Sequence, residues 1–156
     1  MKVLLVEDED PKLESLQRFL EEQKCAAQVV VARSVKSALA ALETETPDLL
    51  LLDMSLPTFD ISANEPGGRP QGFGGVEILR FLESAEATIP TVIVSGYEAF
   101  AREGRNIDLN ALAAELTKDY PQLVRGVVYF NQILGAWSGE LAEILAECNA
   151  KEKANK

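Results

Sequence analysis

Short apolar runs recur along the chain at Val3-Leu4-Leu5-Val6, Val29-Val30-Val31, Leu49-Leu50-Leu51-Leu52, Thr91-Val92-Ile93-Val94 and Val127-Val128-Tyr129-Phe130. Each is the length of a strand buried on both faces. Between them the period changes to that of a helix. Leu13, Leu16 and Leu20 form one stripe, Val35, Leu39 and Leu42 a second, Val76, Leu79 and Leu82 a third, and Leu134, Trp137, Leu141 and Leu145 a fourth. Alternating strands and helices require right-handed crossovers, which predicts an α/β fold: a five-stranded parallel sheet, doubly wound, in three α/β/α layers. Pro11 and Ser34 suit the first turn and the N-cap of their helices.

Two stretches interrupt the alternation. Residues 57 to 75 are rich in glycine and proline and predict a long loop. Residues 96 to 125 exceed one crossover, although Asp108 suits the cap of a helix over Leu109, Leu112, Ala113 and Leu116 that ends near Tyr120-Pro121. The 156 residues, 47% hydrophobic, fit one domain over residues 1–150 with a charged, frayed tail over 151–156. No second effector domain is expected. The net charge of -10 argues against direct nucleic-acid binding and favours basic partners. The opening apolar run is too short for a signal peptide or membrane span, so a cytoplasmic protein without membrane contact is expected. Cys25 and Cys148 read as reduced core residues. Histidine is absent, which leaves the chemistry to Asp, Glu, Ser and Thr.

Ligands of an open parallel sheet bind beyond the carboxyl ends of the strands. There the first strand ends in Glu7-Asp8-Glu9-Asp10, the third in Asp53 and the fourth in Ser95-Gly96. If the first and third strands are neighbours, Glu7 and Asp8 converge on Asp53, and the like charges need a cation. Oxygen donors alone select a hard ion, Mg²⁺ where water and phosphate complete the shell. Phosphoryl chemistry follows, with Asp53 as the candidate nucleophile.

Val3-Leu4-Leu5-Val6-Glu7-Asp8-Glu9, Leu50-Leu51-Leu52-Asp53-Met54-Ser55-Leu56-Pro57 and Ile93-Val94-Ser95-Gly96 together resemble response-regulator receivers, CheY-like domains of two-component signalling. The run from Gly75 to Leu82 resembles the opening of their third helix. The resemblance implies a sheet order of 2-1-3-4-5 and a stand-alone receiver, a signalling domain rather than an enzyme. It implies that Asp53 accepts a phosphoryl group from a histidine kinase or phosphotransfer protein, with Mg²⁺-dependent self-catalysis. Asp8, Asp53 and the backbone carbonyl of Ser55 would ligate Mg²⁺, Glu7 would assist through water, and Ser95 would be the switch hydroxyl. A downstream protein would read the altered surface, and homodimerisation is left open.

One family feature is missing. A lysine normally ends the fifth strand and pairs with the acceptor carboxylate, yet here Phe130 or Asn131 takes that position, depending on register. Lys118 and Arg125 lie away from a strand exit, while Arg69 or Arg102 from the irregular loops could reach inward. The switch aromatic falls on Tyr129 or Val127. Phe59 and Phe73 read as loop anchors and Trp137 as core. The missing lysine motivates an alternative, a pseudo-receiver that works as an interaction module without phosphorylation. A phosphohydrolase reading lacks a second aspartate two residues beyond Asp53.

Overall fold

The computed structural model describes residues 1–24, 26–60, 73–97, 99–102, 105–133 and 135–154. Its elements are β1 (Lys2–Val6), α1 (Asp10–Gln23), β2 (Gln28–Ala32), α2 (Val35–Thr44), β3 (Leu49–Leu52), α3 (Gly74–Ser84), β4 (Thr91–Ser95), β5 (Ala99–Arg102), β6 (Arg105–Asp108), α4 (Leu109–Asp119), β7 (Val124–Tyr129) and α5 (Ala136–Ala154). Five parallel strands run in the order β2-β1-β3-β4-β7, the expected order with β7 as the fifth strand of the sheet.

Alternation along each strand divides the core. Leu4, Val6, Leu50, Leu52 and Ile93 face α2, α3 and α4, where they meet Ala38, Ile78, Leu79, Leu82, Leu112 and Leu116. Val3, Leu5, Leu49, Leu51, Val92 and Val94 face α1 and α5, against Leu13, Leu16, Leu20, Leu141 and Leu145. The side-chain period of two explains why an unbroken apolar run serves both layers. Local chemistry sets the helix starts. Pro11 lies in the first turn of α1, the Ser34 hydroxyl accepts from the Ser37 amide at 3.0 Å, and Asp108 accepts from the Ala111 amide at 2.7 Å.

Several expectations need correction. The stretched segment before the last strand contains β5 and β6, an antiparallel hairpin off the main sheet, which then leads into the Asp108-capped helix. Gly74 and Gly75 open α3 rather than close a loop, and residues 61–72 of that loop lie outside the described residues. Helix α5 runs through the charged tail as far as Ala154. The edge strand β2 is half-buried at Val29, Val30 and Val31, not covered on both faces. Phe73 packs on the core as expected, but Phe59 is 51% exposed with the Lys36 ammonium 5.3 Å from its ring centre. Trp137 is half-buried against Phe19 and Phe130, Cys148 is buried, and Cys25 and Leu134 lie outside the described residues.

Candidate functional site

Register brings the acidic groups together. Val6 of β1 pairs with Leu52 of β3, so Glu7 and Asp53 leave adjacent strands side by side. Backbone bonds hold both exits: the Asp53 amide donates to Val6 at 3.1 Å, and the Glu7 amide to Ala32 at 3.0 Å. One oxygen from each of Glu7, Asp8 and Asp53 lies within 4.8 Å of the others. Glu7 and Asp53 are buried and Asp8 half-buried, whereas Glu9 and Asp10 are exposed.

The acidic loop is pinned. Glu7 Oε1 accepts from the amides of Asp8 and Glu9, each at 3.1 Å. Arg33, just past β2, donates to the Asp8 carbonyl at 3.1 Å and to Asp10 Oδ1 at 2.5 Å. The Tyr97 hydroxyl donates to Glu9 Oε1 at 3.2 Å, linking the β4 exit to that loop. Ser95 is fully buried. Its hydroxyl donates to the Tyr97 carbonyl at 3.2 Å and accepts from the Tyr97 amide at 3.1 Å, closing a turn at the end of β4. Ser55, whose carbonyl is the expected metal ligand, sits two residues beyond Asp53 and donates a backbone hydrogen bond that lowers the Asp53 pKa.

A residue not singled out from the sequence lies at the centre. Lys12, in the first turn of α1, is 3% exposed. Its ammonium is 2.6 Å from Glu7 Oε2, 3.2 Å from Asp53 Oδ1 and 2.6 Å from the Val94 carbonyl oxygen, to which it donates. One cation therefore touches the exits of β1, β3 and β4. The basic residues considered earlier are elsewhere: Lys118 is exposed on α4, and Arg125 is exposed at an irregularity where Thr91 pairs with Val124 but Val92 with Gly126. Arg69 and the Arg102 side chain lie outside the described residues. Ser95 pairs with Tyr129, and the Phe130 amide donates to Ser95 at 2.7 Å, so Phe130 is the first residue past the ladder. It is buried against Trp137.

A group of two buried carboxyls, one half-buried carboxyl and one buried ammonium is under-neutralised. Glu7 is raised from 4.5 to about 7, first by burial and then by Asp53, against the pull of Lys12. Asp53 is raised from 3.8 to about 6 by burial, which outweighs the Lys12 ammonium, and Asp8 reaches about 6 through burial and Glu7. A carboxyl with a raised folded value holds its proton more tightly folded than unfolded. Its stabilising contribution is complete below about pH 4 and lost as pH rises through 6 to 7. Each tenfold difference in proton affinity corresponds to about 1.4 kcal/mol. The metal-free protein should thus lose at least about 5 °C in Tm between pH 5 and pH 8. Asp53→Asn should lose clearly less over the same interval; parallel falls in the two thermal melts would contradict the assignment.

The donor set passes a simple test for a hard divalent ion. Glu7 Oε2 and Asp53 Oδ1 are buried with the Lys12 ammonium as their shared cation, and one ammonium against three carboxyls leaves net negative charge among oxygen donors.

Comparison with known proteins agrees with this geometry. Residues 3–122 match the family described as response regulator receiver domain. The Detocs response regulatory protein DtcB of Enterobacter cloacae is 28% identical over 151 residues, covering 94% of this chain and 99% of that protein. Two solved structures share the fold. A CheY-like receiver domain from Methylobacillus flagellatus has a TM-score of 0.57 at 22% identity, over 95% of this chain and 98% of that one. A receiver domain protein from Clostridium thermocellum has a TM-score of 0.66 at 17% identity, over 99% and 98%. Sheet order, acidic strand exits and a match across most of the chain lead to one conclusion: this protein belongs to the response regulator receiver domain family of two-component signalling.

Proposed function

We propose that the chain accepts a phosphoryl group on Asp53 from a histidine kinase or phosphotransfer protein in the cytoplasm and signals through protein contact. The observation that carries this reading is the meeting of Asp53 with Glu7 and Asp8 at the exits of neighbouring strands. Glu7, Asp8, Asp53 and the Ser55 carbonyl would hold Mg²⁺. When bound, such an ion offsets charge on the phosphoryl oxygens. The Asp53 carboxylate attacks phosphorus, an O–P bond forms as the donor's P–N bond breaks, and the nitrogen leaves with the electron pair. Ser95 then exchanges its turn bond with Tyr97 for one to a phosphoryl oxygen, which alters the surface beyond β4. The net charge of -10 suits a basic partner face.

Incubation with phosphoramidate and Mg²⁺ should add one phosphoryl mass to the intact protein, and Asp53→Asn should abolish the adduct. An adduct that persists in Asp53→Asn, or none from either phosphoramidate or a kinase donor, would refute the reading. One observation favours a second reading, the pseudo-receiver: the Lys12 ammonium lies within ion-pairing distance of both Glu7 and Asp53 and offsets their charge from within the chain. Under it, wild type and Asp53→Asn bind the downstream partner equally with or without donor.

A further inference from the structure

The geometry points to Lys12 as the group that supplies, from the first turn of α1, the ammonium that this chain lacks at the end of β7; the assignment rests on Asp53 being the acceptor. Phe130, the first residue past the β7 ladder and one of the two positions where that lysine is missing, is buried in the apolar layer and packs on Trp137 with ring centres 5.0 Å apart. The charge has not vanished from the site but enters it from another element. Lys12 Nζ contacts the acceptor oxygen Asp53 Oδ1 at 3.2 Å and Glu7 Oε2 at 2.6 Å, both on buried carboxyls.

Helical geometry explains how the side chain arrives there. Residue 12 lies one turn before Leu16, on the face that buries Leu13, Leu16 and Leu20, so its stem runs inside the fold and its head emerges over the strand exits. The third contact, to the Val94 carbonyl at 2.6 Å, ties the cation to the strand that ends in Ser95. A cation fixed between acceptor and switch strand serves two purposes. It orients the Asp53 carboxylate, and it stabilises negative charge on the transferring group. Lys12 is thus a positioning residue toward Asp53 and a charge partner for the phosphoryl oxygens.

The same placement makes the ammonium a competitor of a divalent cation, because both draw on Glu7 and Asp53. Removing it should therefore separate two readouts. With phosphoramidate at saturating Mg²⁺, Lys12→Met should form the adduct about tenfold to a hundredfold more slowly than wild type. Calorimetric titration with Mg²⁺ alone should show affinity equal to or tighter than wild type. Lys12→Met combined with Phe130→Lys, which puts an ammonium at the β7 exit, should regain a measurable part of the rate. A wild-type rate in Lys12→Met overturns the inference. So does Mg²⁺ affinity falling along with the rate, which would mean that the site has merely collapsed, and so does a folded double variant no faster than Lys12→Met. If the double variant does not fold, the rate and the titration still decide. If wild type itself forms no adduct, the acceptor reading fails instead, and the titration alone decides whether Lys12 shares the site with the metal.

Discussion

Lys12→Met should cost the metal-free protein about 3 to 5 kcal/mol of stability at pH 8, lowering Tm by about 10 °C. The reason is the environment of its ammonium, which is 3% exposed at the residue level and lies between two carboxylates that are equally inaccessible. Breaking a buried ion pair from one side leaves an uncompensated charge, and here two oxygens are left at once. The loss should shrink at pH 5, where Glu7 and Asp53 can take protons, since their folded values are about 7 and about 6. Saturating Mg²⁺ should also return part of it. Melts of wild type and Lys12→Met with EDTA and with Mg²⁺ measure all three. A difference below about 2 °C at pH 8 in EDTA would show that the carboxylates do not depend on Lys12.

Gly75→Val should destabilise the fold by about 3 kcal/mol through overpacking. A Cβ at residue 75 would lie 2.5 Å from the Asp53 carbonyl oxygen, 2.5 Å from Met54 Cε and 3.0 Å from Met54 Cα. Two of those neighbours are backbone, so α3 or the acceptor loop must move. The close approach exists because the first turn of α3 folds back onto the loop after β3, where the Gly75 amide donates to Met54 at 3.0 Å. The clash therefore falls on Asp53 itself, and Mg²⁺ binding should weaken together with Tm. Gly139→Ala, on α5 with nothing within 4 Å of its Cβ, is the control and should be neutral or slightly stabilising. Chemical denaturation of the three proteins decides it, and a Gly75→Val midpoint equal to wild type would contradict the packing argument.

What could be read from the chain was what periodicity and strand ends encode. Each apolar run became a strand, most clearly at Leu49 to Leu52, where a core on both faces requires four consecutive large apolar residues; the edge run at Val29 to Val31 is half-buried. Glu7, Asp8 and Asp53 could be placed because a strand exit is a fixed point once the order of β1 and β3 is known. Ser34 and Asp108 were legible because capping is local. Lys12 was not. In Asp10-Pro11-Lys12-Leu13-Glu14 it reads as a solvated residue of a helix start, and lysine is almost never buried unless paired. A signal was nevertheless present, since position 12 shares the helical face of Leu13 and Leu16. A charge on a core stripe calls for a buried counter-charge. The β5-β6 hairpin escaped notice because its four-residue strands pair with each other rather than with the apolar sheet, so its sequence lacks a sustained apolar run. Tyr97 escaped because its contact with Glu9 spans residues far apart in the chain.

The receiver fold thus comes with its customary acids and an ammonium delivered from an uncustomary helix. The most direct measurement is a crystal structure with Mg²⁺ and beryllium fluoride, a phosphoryl mimic. The account predicts the mimic on Asp53, the metal among Glu7, Asp8, Asp53 and the Ser55 carbonyl, the Ser95 hydroxyl turned to a fluoride, and Lys12 Nζ within ion-pairing distance of another. A mimic bound with Lys12 swung away and a different cation in its place, or no mimic at Asp53 at saturating concentration, would contradict it.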